Sequence, residues 1–534
     1  MTSNFTRREA LKIALAGTAL TLPIAMSVAP ASAQAGTDLR IGVAAPATTI
    51  DPHAQNGATN NALATHIFDS LVVNDEKSQS QPGLATSWRA VDDTHWEFTL
   101  RDGVTFSDGT PFGFEDVKVS IERATVIPSP SSFKAYTRNI KAITPGDAPN
   151  KLIVETKTPD ALILNSLSRI RIISAKFKDS PTADFDSGKA AIGTGPFVVR
   201  QYVPGNQTVL ARNDTYWGNK PAWDTVTLRI VSDNGARIAG LLSGDLDIVE
   251  NVPAEAVDRI KGNDKLHLIT GVSSRVVFMT FDFGHQVTPF ATDKSGKALE
   301  KNPFLDAKVR EAFDLAINRE AIVSRVMSGQ ATVAAQFLPD GAPGTSGKLK
   351  PAAFDPQRAK QLLGEAGYPD GFKLTIHGPN DRYINDSKIV QAIGQMLTRV
   401  GIETTVEVLP WSVYSGRIAK NEFSFFLASF GVNTGETSNP MVGTLATYDT
   451  EAGMGAANFG RYSNADFDGK LKQAMPILDP EKRNVLLADA SAIAFEDRAI
   501  LPLHFEGLIL ASRKELAYVT RADQYTLAMG VSKA

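Results

Sequence analysis

Hydrophobic and polar positions change their period several times between Val198 and Glu250, and each change predicts an element. Val198–Val203 and Thr208–Arg212 alternate with period two around Pro204-Gly205-Asn206, which is hairpin chemistry because Pro presets φ and Gly or Asn tolerates positive φ. Val226, Leu228 and Ile230 alternate with Thr227 and Arg229, as in a half-buried strand. Ser232, Asp233 and Asn234 then offer caps for a short helix carrying Ile238, Leu241 and Leu242, and Gly244 ends it. Leu246–Glu250 predicts a further strand, so this strand–helix–strand unit is expected to pair in parallel through a right-handed crossover.

The same reading extends along the chain. Leu39–Val43 predicts a strand, and Asn61–Leu71 a helix facing inward through Leu63, Ile67, Phe68 and Leu71. Val309, Ala312, Phe313, Ala316 and Ile317 share one helical face capped by Asp306. Asp355-Pro356 starts a helix that Gly367 stops. Lys373–His377, Ile402–Val408 and Phe423–Ser429 predict strands. Between the first two, Asp386 caps a helix with Ile389, Ile393, Met396 and Leu397 inside, ended by Gly401. Helices over about 465–476 and 481–497 lead into Ile500–His504. Strands alternating with helices imply an α/β lobe, and the segment from Leu508 is expected to return to the first one.

Several motifs carry a resemblance. Gly193–Phe197, Arg212–Trp217 and Ser243–Asp247 follow one another in the middle of the chain. Before them come Ile50-Asp51-Pro52-His53, Asp69-Ser70-Leu71, Gln81–Trp88, Phe98–Arg101, Phe106–Pro111 and Phe114–Val117. Together these resemble the large solute-binding proteins of the oligopeptide/dipeptide/nickel ABC-importer family. The resemblance implies an α/β, two-lobed, hinged periplasmic binding protein fold with an additional domain fused to the first lobe. It implies lobe I over 38–75, 195–277 and 505–534, the additional domain over 76–194, and lobe II over 278–504. Chain crossings are expected near Val277–Phe281 and Leu503–Gly507, and the motif residues at 81–117 are expected to be turn and packing positions.

Composition changes the picture only at the N-terminus. With 43% hydrophobic and 21% charged residues the 534-residue chain is of ordinary globular make-up, with room for about three domains. Thr6-Arg7-Arg8-Glu9-Ala10-Leu11-Lys12, the apolar run Ile13–Val28 and Ala31-Ser32-Ala33 form a secretory signal over 1–33 with a twin-arginine n-region. Twin-arginine signals usually carry Phe where Ala10 stands, so ordinary Sec export is the alternative, and a membrane anchor is disfavoured by the short run and cleavage pattern. Removing Arg7, Arg8, Lys12 and Glu9 moves the net charge from −3 to −5, which invites no nucleic acid. The chain has no cysteine for a disulfide or a lipid. A periplasmic protein, monomeric, delivering solute to an inner-membrane ABC permease, is expected.

Catalytic and metal chemistry find little support. Gly-x-Ser-x-Gly, His-Glu-x-x-His and Walker patterns are absent, and the seven histidines (53, 66, 95, 267, 285, 377, 504) include no i, i+4 pair. Asn464-Ala-Asp466-Phe-Asp468 imitates the start of a calcium loop, but Met475 stands where the closing Glu belongs, so a helix cap is expected. Gly341–Gly347 is read as a surface loop. No cofactor and no metal are expected.

The resemblance is most specific about the cleft. In peptide-binding relatives a Trp after a second-lobe strand and an aromatic three residues before an Asp line the ligand, and that Asp pairs with the α-ammonium. Trp411 and Phe430 match the aromatics, the Asp position holds Asn433, and Leu427 stands where some relatives carry Arg. His504 is counted with Trp411, Phe430 and Asn433 as a ligand-binding candidate. The alternatives are a packed core Trp and a turn Asn. The function expected is capture of a peptide or peptide-like solute; an opine, an oligosaccharide or another polar metabolite is the alternative within the class, and an exported hydrolase the alternative outside it.

Overall fold

The computed structural model describes residues 37–129, 133–432, 434–449 and 451–534. The expected signal over 1–33 and Asn433 lie outside the described residues. Among these residues no helix is long and apolar enough to cross a membrane.

One mixed twelve-stranded sheet carries the molecule. Its strands are β1 (Asp38–Val43), β2 (Phe197–Val203), β3 (Gln207–Arg212), β4 (Thr225–Ile230), β5 (Ile248–Val249) and β6 (Leu266–Phe281). They continue as β7 (Ala291–Thr292), β8 (Ala331–Val333), β9 (Lys373–Pro379), β10 (Glu403–Leu409), β11 (Phe425–Gly431) and β12 (Ile500–Arg513). The spatial order is β7-β9-β11-β6-β12-β5-β1-β4-β3-β2, with β10 against β9 and β8 against β12. The helices that bear on the site are α1 (Ala58–Ile67), α2 (Asn234–Ser243), α3 (Asp386–Arg399) and α4 (Trp411–Ala419).

In lobe I the hairpin forms as its sequence requires, β2 against β3, with Gly205 at φ 72° in the turn. Asp233 caps α2 through Ala236 N–H, and Gly244 ends it at φ 86°. The partner of the next strand differs from expectation. β4 and β5 do not pair with each other, because β1 lies between them and is parallel to both. Leu39 and Ile41 of β1 are fully buried there, and no local pattern announces a strand arriving from 180 residues earlier. α1 also stops at Ile67, four residues short of the expected Leu71. The backbone at Gly193 and Gly195 presses on the Ile67 carbonyl, where a Cβ would sit 2.0 and 2.6 Å from its oxygen, and Gly195 N–H donates to that oxygen.

The additional domain holds a four-stranded antiparallel sheet over residues 85–156, with Phe98, Leu100, Phe106, Val117 and Leu152 in one core. Motif residues act as joints between it and lobe I. Asp51 forms a two-point buried pair with Arg123 at 2.6 and 2.7 Å, and His53 bonds the Arg171 carbonyl. Asp69 accepts from the Trp217 indole and the Thr194 hydroxyl, while Arg101 covers the Trp217 ring at 4.3 Å. Burial raises the Asp69 carboxyl to about 6 against those donors.

Lobe II buries two cores. One contains Val277, Met279, Phe313 and Ile393; the other contains Val276, Phe278, Phe337 and Leu487. Because Val276–Met279 alternate between them, the two cores lie on opposite faces of the sheet. Asn464 caps its helix through Asp466 and Phe467 N–H, as the cap reading expects.

Among the described residues, β6 and β12 are the strands that run through both lobes. Leu266–Val272 pair with Gly507–Arg513 in lobe I, the register breaks, and Val276–Thr280 pair with Ile500–Phe505 in lobe II. The break at 273–275 precedes the expected crossing at Val277–Phe281, whose residues are packed in lobe II instead.

Candidate functional site

The registers fix which strand ends face the crossing. β5 is antiparallel to β12 and ends toward Leu508, so the carboxyl ends of β5, β1 and β4 point at lobe II. β11 is antiparallel to β6, so the carboxyl ends of β11, β9 and β10 point back at lobe I. In each lobe successive connections leave a central strand in opposite directions: β4 and β5 flank β1, and β10 and β11 flank β9. Such switch points open crevices at carboxyl ends, where ligands of open α/β sheets bind. Two crevices therefore oppose each other across 273–275 and Glu506.

On the lobe I side a cavity of about 180 Å³ is lined by Val43, Ala45, Ala62, Ile230, Glu250 and Leu508 among others. Glu250 accepts from Ala44 N–H and the Thr526 hydroxyl, and burial raises its carboxyl above the usual range. A second cavity of about 710 Å³ lies beside the crossing between the lobes, touched by Lys77, Ser274, Leu338 and Val432. Gly341, expected in a surface loop, lines it.

On the lobe II side, the loop after β9 carries Asp381, Arg382 and Tyr383. Asp386 holds that loop by accepting from Arg382 and Tyr383 N–H, so it sits at the first turn of α3 while Asn385 takes the cap position. Trp411 opens α4, its N–H donating to Asp381 at 2.7 Å. The Arg382 guanidinium lies 5.1 Å from the Trp411 ring centroid, and Tyr383 meets that ring edge-on at 6.2 Å. Tyr383 is paired with Ser429, and burial raises its hydroxyl. Phe430 is half-buried on β11 opposite Val276.

The sequence candidates thus separate. Trp411 and Phe430 both stand at the lobe II crevice, half-buried against the second lobe II core. His504 does not reach the cleft surface: it is fully buried beside Val277 and Val333. Neither of its ring nitrogens has a partner among the described residues, and burial holds its pKa down to about 4. Asn433 lies outside the described residues. Two further groups stand at the crossing: Arg275, which sequence reasoning passed over, and Glu506, which it named with Glu436 as an acid that could hold an ammonium in place of Asn433. Arg275 donates from Nη1 to Ser429 Oγ at 3.0 Å, and its Nε is 3.5 Å from Glu506. Burial raises the Glu506 carboxyl, with Arg275 opposing and the Ile384 N–H as a donor. A charged residue inside an otherwise apolar crossing strand was the available signal. Glu436, another acid near Asn433 in sequence, is committed to Arg483 at 2.7 and 3.0 Å.

The nearest approach to a hydrolase arrangement lies elsewhere. Buried Asp282 bonds His285 Nδ1 at the outer end of β6, but the neighbouring Thr288 hydroxyl is taken up by Asp282 and by the Ser424 hydroxyl.

Comparison with known proteins places this geometry. The profile of "Bacterial extracellular solute-binding proteins, family 5 Middle" matches residues 79–451. The glutathione-binding protein GsiB of Salmonella paratyphi A is 26% identical over 505 residues, covering 93% of this chain and 94% of that protein. HbpA2 from Haemophilus parasuis superposes with a TM-score of 0.80 at 22% identity, over 93% of this chain and 100% of that one. DppA from Helicobacter pylori, solved with the peptide STSA, gives 0.69 at 22% identity, over 93% and 98%.

Proposed function

This chain belongs to the bacterial extracellular solute-binding proteins, family 5, and from that premise we propose that it captures a peptide or peptide-like solute between its lobes and delivers it to an ABC permease. One observation carries the reading: two crevices, each at strand carboxyl ends, face each other across a pair of crossing strands that bear a charged pair. Closing them around a solute removes it from water on both sides, and it leaves Trp411, Tyr383 and Phe430 to cover an apolar face. The glutathione of the GsiB relatives is a peptide-like solute of the class intended. We infer further that residues 1–33 export the chain to the periplasm, that it acts as a monomer without a cofactor, and that it breaks no bond. The proposed moving parts are lobe I, with the additional domain over 76–194 fused to it, and lobe II, hinged at the register break over 273–275.

A second reading rests on Asn433. An amide there would leave an α-ammonium without its carboxylate, which favours an opine, an oligosaccharide or another polar metabolite. Native mass spectrometry of protein purified without refolding tests both. A small molecule retained at one per chain and unaltered on incubation is expected, and its composition chooses between them. Conversion of that molecule to a product would overturn the binding-protein reading.

A further inference from the structure

Resting on that reading, we propose that Arg275 sets the specificity of the cleft: its guanidinium takes a carboxylate of the bound solute, and Ser429 and Glu506 hold it in position. A guanidinium offers five N–H donors in a planar fork that matches a carboxylate at two points. Two more deeply buried arginines are committed to several acceptors each. Arg483 bonds both oxygens of Glu436 and the carbonyls of Ala474 and Met475. Arg123 bonds both oxygens of Asp51 and the Ser180 carbonyl.

Arg275 is different. Among the described residues its side chain makes one hydrogen bond, to Ser429 Oγ, and its Nε stands off Glu506 at 3.5 Å. Its side chain is 28% exposed, so the unfilled donors are partly removed from water without an acceptor among the described residues in exchange. That is a cost until an anion arrives. The neighbour across the ladder is Gly431, where a Cβ would stand 3.2 Å from Nη2, so the absence of a side chain lets the guanidinium lie along β11.

The surrounding charge is mixed, since Asp381 and Asp386 share the loop above with Arg382. Arg382, exposed on the loop above, adds a second guanidinium, and among the described residues Glu506 is the carboxylate within ion-pair reach of Arg275. Glu506 is 12% exposed and already receives the Ile384 N–H, which suits it to orienting Arg275 and not to meeting a solute cation. Arg275 also lies at the break in register where the lobes separate, so a carboxylate bound there touches the hinge itself.

The test is calorimetry on the full mature chain with trialanine and with N-acetyl-trialanine, each as the free acid and as its C-terminal amide. A free acid is expected to bind about 10–100 times more tightly than its amide, the effect of one charge-assisted contact. Arg275→Gln should bring acid and amide to the same affinity, Arg275→Lys should restore part of the preference, and Arg382→Gln should reduce it less. Where Arg275→Gln does not fold, Ser429→Ala reads the same preference by freeing the guanidinium, and the preference should shrink. Equal binding of acid and amide by the wild type, or an undiminished preference in Arg275→Gln, overturns the proposal. A retained solute that carries no carboxylate overturns it while the binding-protein reading stands. If the chain retains no solute and no probe binds, both fall.

Discussion

His504 gives a sharp test of the energetics, because the structure turns a ligand candidate into a core residue. Its imidazole is fully buried, both nitrogens lack partners among the described residues, and desolvation alone lowers its pKa to about 4. An unfolded histidine titrates near 6.5. Between pH 6.5 and 4 the unfolded chain therefore binds the extra proton, so stability is fully present above about 6.5 and falls as pH drops toward 4. A gap of roughly 2.5 pH units at 1.36 kcal/mol each makes the loss about 3 kcal/mol for this one side chain. His504→Leu removes the titration and the two unpartnered nitrogens while roughly keeping the volume, so at pH 7 it should be neutral or stabilising by about 1 kcal/mol. Urea unfolding of wild type and variant at pH 7, 6, 5 and 4.5, followed by the lobe II transition, reads the difference directly. The variant should gain on the wild type by more than 2 kcal/mol across the series. Parallel curves would refute the reasoning, and a variant destabilised by several kcal/mol at pH 7 would mean the ring nitrogens are satisfied after all.

Three further outcomes follow from particular residues. Gly193→Ala puts a Cβ 2.0 Å from the Ile67 carbonyl and should unfold the joint or lower the melting temperature by many degrees, whereas Gly205→Ala, with φ 72° but nothing within 4 Å, should cost about 1 kcal/mol; thermal melts compare them. Replacing Arg7 and Arg8 together by Lys should stop periplasmic accumulation if export uses the twin-arginine route, and unchanged accumulation on fractionation assigns the chain to Sec. Asn433→Asp should improve binding of free-amine dipeptides and tripeptides about tenfold or more over their N-acetyl forms by supplying a buried charge partner, and calorimetry showing micromolar binding of free-amine peptides by the wild type would remove that role from Asn433.

What the sequence determined by itself was local. The hairpin around Gly205, the Asp233 and Asn464 caps, the Gly244 stop and the strand–helix alternation after Asp306 depend on backbone preference and on one buried face, and both are written in short windows of residues. The motif order was enough to identify the family, and with it a two-lobed fold. Trp411 and Phe430 were named from the family resemblance and not from any local pattern, and their role in the cleft is part of the proposal.

The tertiary structure alone decided the partners. β1 lies between β4 and β5, a neighbour relation that a strand's own alternation of buried and open positions does not record. α1 stops at Ile67 because two glycines distant in sequence close on its last carbonyl. His504 and Arg275 lie on the same two crossing strands, and the local pattern treats both as polar interruptions in apolar runs. Which of them is enclosed and which meets the cleft depends on the register break at 273–275 and on β8 closing over the outer edge of β12. Burial of a side chain is a property of everything packed around it, and that sum is formed only when distant segments meet.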